Sequence, residues 1–140
     1  MIREATAEEV NAIANHPDVY DMLLLGAIHP QCAMDYEDTL DSPLVTSFID
    51  GGFAAIFQWT SPGVYECHVM ATKAARGRQM IRSSREMLAE MKKRGAKRVW
   101  GQPSVYNPAA VSFVKLMGLR YQGTGHHPIV GDVVYYEVEL

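Results

Sequence analysis

Residues 64–71, VYECHVMA, alternate as a strand does, and they carry a carboxylate and an imidazole two positions apart, Glu66 and His68. Alternate residues of a pleated strand share a face. Glu66, His68 and Met70 therefore point one way, and Tyr65, Cys67 and Val69 the other. A carboxylate and an imidazole about 6–7 Å apart along a strand can act as base and helper, removing a proton from an acceptor ammonium. The same pair also fits two half-buried strand residues with no chemical role. Just downstream, Arg76-Gly77-Arg78 opens a long helical pattern that continues through Gln79 and Met80. A helix start leaves backbone N–H groups unpaired and carries partial positive charge, so it receives a pyrophosphate readily. Arg76, Arg78 and Arg82 add charge at that end, and a glycine lets a phosphate approach the backbone. Farther on, Tyr106 stands directly before Asn107-Pro108, a pair suited to N-cap and first helical position.

Other reactive residues have plainer readings. Cys67 shows no basic partner or helix start that would activate a thiol, and Cys32 lies in unrelated surroundings, so a reducing compartment fits. His126 and His127 are adjacent, point apart and lack a third ligand, so no metal site is expected. Asp35-Tyr36-Glu37-Asp38 with Asp41 forms an acidic stretch that either attracts a cationic amine or is simply a solvated loop.

The elements that must position these residues can be traced in order. Residues 2–5 read as a short strand, and Thr6 with Glu9 forms a capping box for a helix lined by Val10, Ile13 and Ala14. Pro17 opens a second helix ending near Gly26. Residues 27–43 read as loop with one turn of helix at most. Residues 44–49 and 53–59 form a hairpin around Asp50-Gly51-Gly52. The 64–71 strand follows, then a helix from Arg76 to Arg94 with Met80, Ser84, Met87, Leu88 and Met91 on one face. A strand over 96–101, a helix from Asn107 to Gly118, and strands over 119–122 and 133–140 complete the chain, with His126-His127 in a loop. This order predicts an α/β (α+β) fold, a mixed, mostly antiparallel sheet with helices on both faces.

The 140 residues suit one domain, spanning 1–140. Hydrophobic residues make up 48% and charged residues 21%, a globular composition. A net charge of −3 gives no basic field, so nucleic acid is not expected as a partner. The apolar runs are too short for a membrane span and the first residues lack a signal peptide's order, so a cytoplasmic protein is expected.

Two segments resemble the GNAT (Gcn5-related N-acetyltransferase) superfamily. ECHVMATKAARGRQMIRSSREML resembles the strand, Arg/Gln-x-x-Gly-x-Gly/Ala turn and helix that hold acetyl-CoA. VWGQPSVYNPAAVSFVKLMGLRYQG resembles that family's strand, Asn-x-x-Ala helix and exit, here Asn107, Ala110, Lys115, Gly118 and Leu119. The resemblance implies acyl transfer from acetyl-CoA, or another acyl-CoA, to a primary amine on a small molecule or protein. It implies that Val69, Met70 and Ala71 line the pantetheine arm and acyl group, and that Arg76, Gly77, Arg78, Gln79 and Met80 hold the pyrophosphate. Asn107 would face the pantetheine, Glu66 or His68 would accept the proton, and backbone N–H near Met70 and Ala71 would steady the oxyanion. Relatives also suggest a homodimer through sheet edges or C-terminal strands. Three positions depart from the pattern. Gln79 and Ile81 fill the small slots, and Val114 stands where many members carry a tyrosine that protonates the leaving thiolate, leaving Tyr106 as its substitute. The short GNAT-like proteins of tailed phages show similar erosion. The alternative is thus a catalytically silent GNAT-fold binding or virion-associated structural protein.

Overall fold

The computed structural model describes residues 1–24 and 33–140. Cys32, Gly26 and part of the 27–43 segment lie outside the described residues. The strands are β1 (Arg3–Glu4), β2 (Val45–Asp50), β3 (Phe53–Ser61), β4 (Val64–Ala71), β5 (Arg98–Gly101), β6 (Arg120–His127) and β7 (Gly131–Glu139). They form one sheet in the order β1-β2-β3-β4-β5-β7-β6. Among these strands only the β4–β5 pair is parallel. The helices are α1 (Ala7–Ala14), α2 (Pro17–Leu24), α3 (Glu37–Asp41), α4 (Arg78–Lys93) and α5 (Pro108–Leu116). The expected mixed, mostly antiparallel sheet is present.

Hydrophobic patterning puts helices on both faces. In β3, Ala54 and Ile56 pack with Val10, Ile13, Ala14 and Val19 of α1 and α2. Their neighbours Phe53, Ala55 and Phe57 pack on the opposite face with Met87 and Met91 of α4. A strand covered on both sides has no solvated face, which is why its first five residues are all buried. The Thr6–Glu9 capping box starts α1 as expected, with Glu9 N–H donating to Thr6 Oγ1 and Thr6 N–H to the Glu9 carboxylate.

The short helical turn expected within 27–43 is α3, whose Leu40, with Tyr36 before it, packs against the α1 side of the core. Several boundaries differ from expectation. The long helix starts at Arg78 rather than Arg76. Lys73–Ala75 make a 3-10 turn, and Gly77 adopts φ 87°, which breaks any continuous helix there. β6 runs on through His126 and His127 instead of yielding to a loop. Residues 123–127 carry no apolar alternation, and their extended form comes from the ladder to β7. The Tyr135 ring crosses over Gly125, where any side chain would collide with it.

The β2–β3 turn is bound to the first turns of α4 through Asp50. Ser83 Oγ donates to Asp50 Oδ2 at 2.6 Å, and Gln79 Nε2 donates to the Asp50 carbonyl at 2.9 Å. The Ser83 hydroxyl, helped by the Met1 ammonium and then by Arg82, holds the Asp50 carboxyl below the ordinary aspartate range despite partial burial. A carboxylate depressed in the folded state contributes stability above its unfolded value, and that stability is lost as pH falls through the folded value. Asp50→Asn should cost about 1–2 kcal/mol at neutral pH. It should also flatten the acid limb of the stability profile; urea unfolding across pH 3–7 checks both.

Candidate active site

β4 pairs with β3 along its length, from Val64 to Ala71, but with β5 only at Val64, Tyr65 and Glu66. Beyond Glu66 and Trp100 the two parallel strands part. Thr72 N–H donates to the Gly52 carbonyl, which fixes which side each amide of β4 faces. By strand alternation the Met70 amide turns toward β3, and the amides of Val69 and Ala71 turn toward the gap. Of the two backbone positions expected to steady an oxyanion, Ala71 faces the gap and Met70 does not. Val69 is better placed than Met70.

A cleft of about 500 Å³ opens at this gap. Val69, Met70 and Ala71 line it from β4, Arg76 and Gly77 from the turn, and Met80 and Ile81 from α4. The far wall is α5, with Asn107, Ala110 and Phe113. Most of the residues expected to line a pantetheine arm are therefore brought together.

The expected phosphate-binding residues divide into three groups. Gly77 caps α4 without any side-chain bond, and the first turn holds no acidic residue. Ile81 N–H is the first to bond back into the helix, to the Gly77 carbonyl, so the amides of Arg78, Gln79 and Met80 precede the helical ladder. Arg78 is exposed beside them. Arg76 instead serves the framework, since its Nε donates to the Ala71 carbonyl at 3.2 Å and its NH2 to the Asp18 carbonyl at 2.9 Å. The guanidinium thus bridges the end of β4 to α2. Gln79 sends its side chain to the Asp50 carbonyl, away from the helix mouth.

Glu66 and His68 lie on the α1 face of the sheet, as alternation requires, with His68 Nε2 3.4 Å from Glu66 Oε1. The second carboxylate oxygen accepts from Gln102 Nε2 at 2.7 Å. The Glu66 side chain is 12% exposed and that of His68 49%. Burial pushes the Glu66 carboxyl upward, yet the contacts from His68 and Gln102, with His127 at longer range, bring it below the usual carboxylate value. Glu66 is therefore a held anion, and His68 is the group open to solvent. Gln102 was not anticipated. It lies two residues beyond Trp100, the register partner of Glu66, and that register could not be read from the chain.

Like Glu66 and His68, Tyr106 is not among the residues that line the cleft. It is 65% exposed, and its ring lies toward Gly131 at the β6–β7 turn. The Ser104 hydroxyl accepts from its backbone N–H and fixes the loop in that direction. Asn107 Oδ1 caps α5 by accepting from Ala110 N–H at 3.2 Å, and the residue also lines the cleft, so both of its readings coexist. Burial pushes the Cys67 thiol up to about 12, which makes it a poor nucleophile. Asp35 is engaged by Asn11 and by Glu37 N–H, which hold its carboxyl below the ordinary value. His126 pairs with Asp132, while His127 Nδ1 accepts from Ile129 N–H.

No protein-family model and no curated protein matches this sequence. Solved structures do match its fold. A GCN5-related N-acetyltransferase from Kribbella flavida superposes with a TM-score of 0.71 at 17% identity, over 100% of this chain and 97% of that one. The yncA protein from Salmonella typhimurium, solved with acetyl-CoA, gives 0.74 at 16% identity over 100% and 93%. The aminoglycoside acetyltransferase AAC(6')-Ib in complex with ribostamycin and coenzyme A gives 0.76 at 17% identity over 99% and 92%. The chain has the GNAT fold.

Gly77, which caps α4, holds a positive φ that a single added methyl group would strain. A Cβ there meets nothing within 4 Å, so only its φ of 87° opposes a side chain. Gly77→Ala should lower stability by about 1–3 kcal/mol through backbone strain. Calorimetric unfolding beside an Ala74→Gly control reads this cost.

Proposed function

We propose that this chain is an acyl-CoA-dependent N-acyltransferase acting on a primary amine of a small molecule or a protein. The observation that carries this reading is the cleft where β4 leaves β5 beside the uncapped start of α4. Its walls suit the parts of a CoA thioester in turn. The amides of Arg78, Gln79 and Met80 offer a seat for the pyrophosphate, and Arg78 adds charge. The backbone of Val69 offers hydrogen bonds to an amide-bearing arm. Phe113, Met70 and Ile81 shield the thioester from water. The thioester supplies an activated acyl carbon, and the fold neighbours solved with acetyl-CoA or CoA support the choice of donor.

His68 takes the proton of the incoming ammonium, because it is exposed while Glu66 is buried and already anionic. Glu66 orients the imidazole and stabilises the imidazolium that forms, and Gln102 holds Glu66 in place. Val69 N–H faces the gap, where negative charge would develop on the carbonyl oxygen. No tyrosine stands near the leaving sulfur among the described residues that line the cleft. A thiolate is a tolerable leaving group near neutral pH, so the reaction does not require one. The buried carboxylate on this face favours a cationic acceptor over an anionic one. An exposed edge at β6 is the surface through which a homodimer would form.

The silent-protein alternative draws on Gln79, Ile81 and Val114; the Gln79 side chain is turned to the Asp50 carbonyl, while Ile81 lines the cleft and Val114 a smaller void beside it.

Calorimetric titration with acetyl-CoA should show one site, and ligand at about 100 times its dissociation constant should add about 2.7 kcal/mol of stability. With a responsive amine, His68→Gln should lower kcat/KM about 10²–10⁴-fold and abolish the rise of rate with pH that a base imposes. Tyr106→Phe should leave the rate near that of the parent. Absence of both heat and acyl transfer across a panel of amines overturns the reading.

A further inference from the structure

Beside the cleft lies a second, partly open void of about 60 Å³ between β3, β4, β5, α4 and α5. Cys67, Val69, Ser84, Met87, Phe113 and Val114 are among its walls, and Val69 and Phe113 also line the cleft. The void therefore lies directly against the cleft, across the Val69 and Phe113 side chains. We propose that it is an acyl-chain pocket and that the preferred donor is a CoA thioester with an aliphatic acyl group of about four carbons rather than acetyl-CoA. This rests on the acyl-CoA reading above and specifies its donor.

Three observations lead there. The first is chemistry. The walls are almost wholly apolar, and the Ser84 hydroxyl is buried with no hydrogen-bond partner among the described residues. A buried water needs two to four polar partners, and one hydroxyl cannot supply them. Hydrocarbon fits such a space better than water does. The second is size. A water occupies about 10–15 Å³ on this measure, so the void accepts several carbon atoms, well beyond a single methyl group. The third is the packing of α5. Its apolar residues recur at helical spacing, yet none is fully buried, and Phe113 and Val114 border the unfilled space. Native interiors seldom leave apolar space unfilled, and a ligand's acyl chain completes the packing of Phe113 and Val114.

The test is calorimetric titration of the full chain with CoA, acetyl-CoA, butyryl-CoA and octanoyl-CoA. Affinity should rise about fourfold for each added methylene from acetyl to butyryl and fall again at octanoyl, which outgrows the void. The Ser84 hydroxyl makes no hydrogen bond among the described residues, so Ser84→Leu fills the void without breaking one, and it should erase the advantage of butyryl over acetyl. Val114→Leu gives the same reading if the first variant does not fold. Butyryl-CoA binding no more tightly than acetyl-CoA, or keeping its advantage in a folded filling variant, overturns the acyl pocket while leaving the acyl-CoA reading intact. No binding by any of the four overturns both.

Discussion

β4 must satisfy two neighbours, and it does so over different lengths. Its ladder to β3 runs from Val64 to Ala71, but its ladder to the parallel strand β5 stops at Glu66. A strand that loses one neighbour exposes every second amide and carbonyl, and buried backbone groups cannot stay unpaired without cost. The chain answers locally at one end. Arg76 Nε bonds the Ala71 carbonyl, and the other arm of the same guanidinium reaches the Asp18 carbonyl. One side chain thereby closes the tip of β4 and joins α2, on one face, to the turn that launches α4 on the other. Lys73 N–H donating to Asp18 Oδ2 adds a second tie. The gap stays open at Val69 because the residues around it are held from behind.

The electrostatics at the other end of the gap follow from the same parting. Where β4 and β5 still pair, Glu66 is opposite Trp100, and Gln102 then falls within reach of its carboxylate. Burial alone would raise a carboxyl and make it a proton donor. Here hydrogen bonds win over desolvation and hold the Glu66 carboxyl below the ordinary value. Two residues that look equivalent in the chain are thus divided into a carboxylate held by partners and an imidazole open to solvent. That division comes from side-chain partners, not from the two residue types.

Features governed by local chemistry are legible in the sequence. The Thr6–Glu9 box, the two-glycine turn after Asp50 and the cap at Asn107 involve residues within a few positions of one another. So does the division of β4 into two faces, since period-two alternation needs no tertiary knowledge. What could not be read depends on distant partners. The extension of β6 rests on β7, the direction of Tyr106 on the turn at Gly131, and the role of Arg76 on a carbonyl 58 positions away. Arginine before a helix looks like a phosphate ligand because charge and position are visible in the chain, whereas the two carbonyls it serves are not. Gln102 escapes a sequence reading for the same reason.

The departures from the acetyl-CoA pattern take on a physical meaning once their side chains are located. A helix start binds an anion through its amides, so what matters at Gln79 is whether the side chain blocks them, and it is drawn off to Asp50. Ile81 lines the cleft and narrows it with apolar surface. Val114 is more consequential. By the resemblance it holds the place of a tyrosine that would serve the leaving sulfur, and in this chain it is a wall of the inner void. Replacing a large ring with a small aliphatic side chain removes a proton donor and adds space at one stroke. The loss therefore bears on more than catalysis. If the missing tyrosine were simple decay, its position would be expected to fill with whatever packs, and the core would close. Instead Met87, Phe113 and Val114 border an apolar space that shares the Val69 and Phe113 walls with the cleft, which is where the proposed longer acyl group would lie.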